Sequence, residues 1–160
     1  MRLKLLLIAA ALLVISVGVW LAAQNAGGAK PTDAPLTSFD YSCRGTSTDR
    51  FYSYEVTKSG NEYVFRFRPF CEEDEQSAAM REEDVHALIK IINRHRLWKW
   101  HGFLKSDPLM MDGTSFSLRV AFADDTVIEA SGSNRFPSGY SAACAELDRL
   151  FSKYIKEPEK

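Results

Sequence analysis

Nineteen consecutive residues at 5–23, LLLIAAALLVISVGVWLAA, are apolar apart from Ser16 and Gly18, and Arg2 and Lys4 precede them. A basic start followed by an apolar stretch is the layout of an export signal. The run exceeds the roughly 7–15 apolar residues of most cleaved signals and approaches the ~20 that cross a bilayer as a helix. Residues 1–23 are therefore expected to be a signal peptide, cut among Ala22, Ala23, Ala26, Gly27, Gly28 and Ala29, or a retained membrane anchor with Trp20 at the outer interface. In either case the basic side stays inside, and the body is expected in the periplasm or held outside the cytoplasm on a membrane anchor. Residues 24–35, QNAGGAKPTDAP, have no apolar period and read as a flexible tether. Residues 36–160 are long enough for a single exported domain with its own core.

Within that body two periods alternate. Residues 36–44 and 51–58 are rich in Tyr, Phe, Ser and Thr, and Tyr52, Tyr54 and Val56 share one face of a strand. Ser59-Gly60-Asn61 is a turn signal, after which Tyr63, Phe65 and Phe67 alternate with Val64, Arg66 and Arg68 until Pro69, which predicts a hairpin. Residues 71–75, CEEDE, read as an acidic loop. From about Arg81 the period becomes helical, with Val85, Leu88, Ile89 and Ile92 on one face. Glu82, Glu83 and Asp84 suit the start of that helix, Arg94, His95 and Arg96 its end, and Gly102 marks the stop. Phe116, Leu118, Val120 and Phe122 alternate with polar residues, Asp124-Asp125 turns the chain, and residues 126–131 return as a partner strand. A last helix over about 141–156 places Ala143, Leu147, Leu150, Phe151 and Tyr154 on one side. The expected fold is α+β: a mainly antiparallel sheet of about five strands, in the order β-β-β-α-β-β-α, with two helices on one face.

Composition narrows the chemistry. The 160 residues carry 20 Lys+Arg against 21 Asp+Glu; without Arg2 and Lys4 the remainder has a net charge of −3, which gives no reason to expect a nucleic-acid surface. Cys43, Cys71 and Cys144 form no CxxC pair, and outside the cytosol Cys43 with Cys71 is the candidate disulfide. His86, His95 and His101 lack metal-ligand spacing, so neither metal nor cofactor is expected. The acidic run lacks the alternating order of a calcium loop, and there is no GxSxG elbow.

The candidate ligand-binding residues are Trp98, Trp100, Phe103, Asp112, Asn134, Arg135 and Phe136. Aromatic rings beside fixed polar groups suit a groove for a peptide or sugar, although the same residues also suit the capping of one end of a sheet. Trp100-His101-Gly102-Phe103, Asp112-Gly113-Thr114-Ser115-Phe116-Ser117-Leu118 and Ala130-Ser131-Gly132-Ser133-Asn134-Arg135-Phe136-Pro137 resemble the motifs of an uncharacterised family of exported bacterial proteins, many of them lipoproteins. This chain lacks the lipid-bearing Cys and has His101 where that family usually has Asp. The resemblance implies one exported domain and no particular reaction. The expected function is non-catalytic binding of an envelope protein or a small ligand, with the membrane as a further partner if residues 1–23 are retained. The alternatives are a hydrolase with a Cys/His or Ser/His site and a structural or assembly factor of the envelope.

Overall fold

The computed structural model describes residues 30, 33–45, 52–69, 75–107, 109 and 113–156. The expected signal or anchor, most of the tether, Cys71 and Asp112 lie outside the described residues. Seven strands and two α-helices follow in chain order. They are β1 (Leu36–Arg44), β2 (Tyr52–Ser59), β3 (Glu62–Pro69), β4 (Gln76–Met80), α1 (Glu82–Arg94), β5 (Phe103–Ser106), β6 (Ser115–Phe122), β7 (Val127–Ser133) and α2 (Tyr140–Phe151). Short 3₁₀ turns at Leu97–Trp100 and Ser152–Tyr154 follow α1 and α2. The strands make one sheet in the order β4-β3-β2-β1-β6-β7-β5. Every pairing is antiparallel except that of β5 with β7, which is parallel.

The sheet thus has seven strands where the sequence pattern predicts about five. The two additions are edge strands, β4 and β5, of five and four residues. β4 reads QSAAM and has none of the aromatic or β-branched residues that mark β2 and β3. β5 exists because the first helix stops early. α1 ends at Arg94, His95 caps it, and Arg96 takes the left-handed conformation at φ +53°. Gly102 is therefore not the helix stop; at φ +75° it turns the chain out of the 3₁₀ segment, and its N–H bonds to the Glu129 carbonyl at 2.9 Å.

Alternation places Phe39, Tyr41, Tyr54, Val56, Phe65, Phe116, Leu118, Val120 and Ile128 on one face, all buried. Leu36 and Phe39 are three apart, so strict alternation would send them to opposite faces. An irregularity between Leu36 and Ser38 in the pairing with β6 resets the register and buries both. Val85, Leu88 and Ile92 of α1 and Leu147, Leu150 and Phe151 of α2 join the same core cluster, so both helices cover this face. Phe151 is fully buried, with its ring 4.9 Å from Phe65 and 4.7 Å from Tyr54. Burying a side chain of this kind contributes on the order of 2–3 kcal/mol. Among the described residues the opposite face carries no helix; Asp40, Glu55, Arg66, Arg119 and Glu129 form a charged row across it. Among the described residues no helix is long and apolar enough to cross a membrane.

Candidate binding cleft

Four of the residues singled out in the sequence meet at one end of the sheet. Trp100 is only 4 % exposed, and its indole N–H donates to the Ser138 carbonyl at 3.2 Å. Its ring lies 6.4 Å from Phe116 and 5.9 Å from Tyr140. Phe103 and Phe136 sit 6.2 and 5.8 Å from Phe116, and Phe136 is 4.6 Å from Tyr140. The five rings pack largely on each other, which leaves the partly exposed Phe136 as the main apolar surface of this end. Asn134, at φ +55°, staples the loop to the start of β6: its N–H donates to the Thr114 carbonyl at 2.9 Å and its Oδ1 accepts from the Thr114 N–H at 3.0 Å. Arg135 is exposed and pairs with Asp107 at 3.2 Å. Asp112 lies outside the described residues.

Most of the groups considered for catalysis have other engagements. His95 Nε2 lies 3.2 Å from Glu146 Oε1, His101 Nδ1 accepts the Glu129 N–H at 3.2 Å, and His86 is exposed on α1. Cys144 Sγ is 3.2 Å from the Tyr41 hydroxyl, which is also 2.8 Å from the Tyr140 hydroxyl. Burial pushes the Cys144 thiol up from its ordinary value, against the hydrogen bonds from Tyr41 and Tyr140, so it is a weak nucleophile. The Tyr52 and Tyr54 hydroxyls both donate to Asp148 Oδ1, at 3.2 and 2.9 Å. Cys43 is buried on the core side of β1, and its candidate partner Cys71 lies outside the described residues. Among the described residues no three His, Cys, Asp or Glu side chains are grouped to hold a metal ion.

Trp98 is set apart from the aromatic end. It lines an open cleft of about 1280 Å³ along α1, bounded on the other side by the lead into β1 and the β2–β3 turn. Leu36, Tyr63, Met80, Val85, Ile89 and Trp98 give it an apolar floor, of which Tyr63, Ile89 and Trp98 are only partly buried. The wall also holds Asn93, whose Oδ1 is buried without a donor, a costly state for an amide oxygen. Local folding explains the placement. The two-residue β2–β3 turn is opened by Gly60 at φ +61° and sets Tyr63 opposite Met80; the left-handed Arg96 then swings Trp98 and Lys99 back over the end of α1. Tyr63 is pinned by its hydroxyl, which donates to the Leu36 carbonyl at 2.8 Å.

Apart from Trp98, no residue of this cleft stands out in the sequence. Its members are scattered from Lys30 to Lys99 without a motif, and Tyr63 and Ile89 read simply as core positions of a strand and a helix. No family model matches the chain, and no curated protein is significantly similar to it.

Proposed function

We propose that this protein is an exported, non-catalytic binding domain whose ligand sits in the cleft beside α1. The cleft itself carries the reading: it is a wide concavity that joins partly exposed apolar and aromatic side chains to Asn93, whose buried Oδ1 has no partner among the described residues. The leader at 1–23 supports export, and the short tether at 24–35 opens directly into the cleft wall at Ala34 and Pro35. A binding role also accords with the contacts of His95 and His101 and the weak nucleophilicity of Cys144.

The test is a binding screen of the full chain in detergent or nanodiscs against peptides, oligosaccharides and lipids, read by thermal shift and tryptophan fluorescence. At least one class is expected to bind with micromolar affinity, and Trp98→Ala and Ile89→Glu are expected to weaken it about tenfold or more while circular dichroism stays unchanged. Binding that ignores both substitutions, or turnover of a bound ester or peptide, would overturn the reading.

A further inference from the structure

We infer that the cleft takes a peptide in extended form, with an acidic carboxyl-terminal end held by Arg96 and Lys99. This rests on the reading of the cleft as the binding site and names its ligand class.

Size comes first. At about 1280 Å³ the cleft exceeds the roughly 300–1000 Å³ usual for compact small molecules. It runs beside a helix of 13 residues, about 20 Å long, which matches about six residues of extended chain. The lining then sorts ligand classes. An acyl chain needs an unbroken apolar wall, and Asn61, His86 and Asn93 interrupt this one. Asp33, Glu62 and Glu82 interrupt the basic residues of the lining, so a nucleic-acid backbone finds no continuous positive track. A peptide offers the same mixture that the cleft presents: apolar side chains for Tyr63, Ile89 and Trp98, and backbone polar groups for the amides of Asn61 and Asn93.

Charge gives the direction. Arg96 and Lys99 follow the last turn of α1, and neither has an acidic partner within 4.0 Å among the described residues. Glu82 opens α1 at the far end, and Glu62 stands nearby because its neighbour Tyr63 pairs with Met80. The cations at that end are partly spent: Arg81 binds Glu83 and Asp84, each at 2.7 Å, and the Lys58 ammonium lies 6.0 Å over the Tyr63 ring. Among the described residues the Arg96 end therefore carries two unpaired cations and the Glu82 end two unpaired carboxylates beside Lys58, while the lead into β1 adds one charge of each sign in Lys30 and Asp33, so an extended chain binds with its carboxylates toward Arg96.

The experiment uses the full chain in nanodiscs and two fluorescein-labelled hexapeptides of identical composition. One carries Lys at the amino end and Glu at the carboxyl end with two Leu between; in the other Lys and Glu are exchanged. Fluorescence polarisation is expected to favour the first by about fivefold or more, and Arg96→Glu with Lys99→Glu to reverse the preference, with Arg96→Gln and Lys99→Gln as milder versions should the double variant not fold. Equal binding of the two peptides, lost in Trp98→Ala, would overturn the orientation and leave the cleft as the binding site. Trp98-dependent binding of an oligosaccharide or lipid with no peptide bound would overturn the peptide class alone. Failure of every ligand class would overturn this inference and the proposed function together.

Discussion

Asp40 on β1 stands directly opposite Glu55 on β2, two carboxylates side by side on the sheet face away from α1 and α2. Glu55 is held by Arg66 at 2.7 Å and Arg68 at 3.2 Å. Asp40 faces Arg119 on β6, but that guanidinium is bonded to Glu129. Partial burial, and then the charge of Glu55, raise the Asp40 pKa above its usual 3.8, while Arg119 and a hydrogen bond from Ser38 oppose the rise. An acid whose pKa is higher in the folded state loses stability as pH rises through the interval from its unfolded to its folded value. Asp40→Asn is therefore expected to raise the melting temperature by about 1–3 °C at pH 7 and to give no gain at pH 3. A variant less stable than the parent at pH 7 would show that the Asp40 charge is on balance favourable.

Asp84 behaves in the opposite sense. Its side chain is 4 % exposed at the first turn of α1, and it accepts from Lys153 Nζ at 2.7 Å, Tyr154 at 2.6 Å and the Arg81 guanidinium at 2.7 Å. Burial alone would raise its pKa; these bonds outweigh burial and bring it down to about 2 from the usual 3.8. A lowered folded pKa contributes stability that is fully present above about pH 4 and is lost as pH falls toward 2. Asp84→Asn is expected to cost about 1–2 kcal/mol at pH 7, the half-exposed Lys153 and Arg81 being screened, and the gap from the parent should close near pH 2. Urea titrations at pH 7, 4 and 2.5 measure it, and a gap that stays constant with pH would show that the cluster does not depend on the Asp84 charge.

These two carboxylates mark what the sequence makes legible. Period, composition and turn signals together locate β1 to β3, β6, β7 and both helices, because in each of them one face is buried in a common core and the other meets solvent. It also places Asp84 in the first turn of α1, where a helix-dipole role suffices to explain it. Its burial depends on Lys153 and Tyr154, about seventy residues away, and no local pattern reports that contact. The edge strand β5 is hidden for a similar reason: four residues, FLKS, are too few to show alternation, and they become a strand only because β7 offers a free edge. The aromatic end is visible in the sequence as a group of unusual residues. The cleft is not, because it is made by the separation of α1 from the β2–β3 turn.

Gly132 tests how tightly the aromatic end is packed. A Cβ at this position would stand 2.1 Å from the Arg135 carbonyl oxygen, 2.8 Å from a Phe116 ring carbon and 3.1 Å from one of Phe103. The first of these is backbone and cannot move without shifting the loop that Asn134 staples to Thr114. Gly132→Ala is expected to cost about 2–3 kcal/mol in urea unfolding and to weaken the near-ultraviolet circular dichroism of the ring cluster. A neutral effect would mean that the loop yields easily and that the close approach of Gly132 is incidental.

Tyr41 and Tyr140 join the centre of the sheet to the start of α2 through their hydroxyls, 2.8 Å apart, with Cys144 Sγ 3.2 Å from Tyr41. Burial keeps both phenols neutral far above the usual range, so the link is a neutral hydrogen bond and is insensitive to pH across the physiological interval. Tyr41→Phe removes a partner from Tyr140 and from Cys144 at once, and Tyr140→Phe removes one from Tyr41 and from Cys144, so each is expected to cost about 1–2 kcal/mol. Because the two substitutions break the same bond, the double variant should fall short of the sum by about 0.5–1 kcal/mol. Strict additivity in that cycle would mean that the hydroxyls gain nothing from each other, and that α2 is held to the sheet by the packing of Phe151 and Leu147 and by the bonds of Tyr52 and Tyr54 to Asp148.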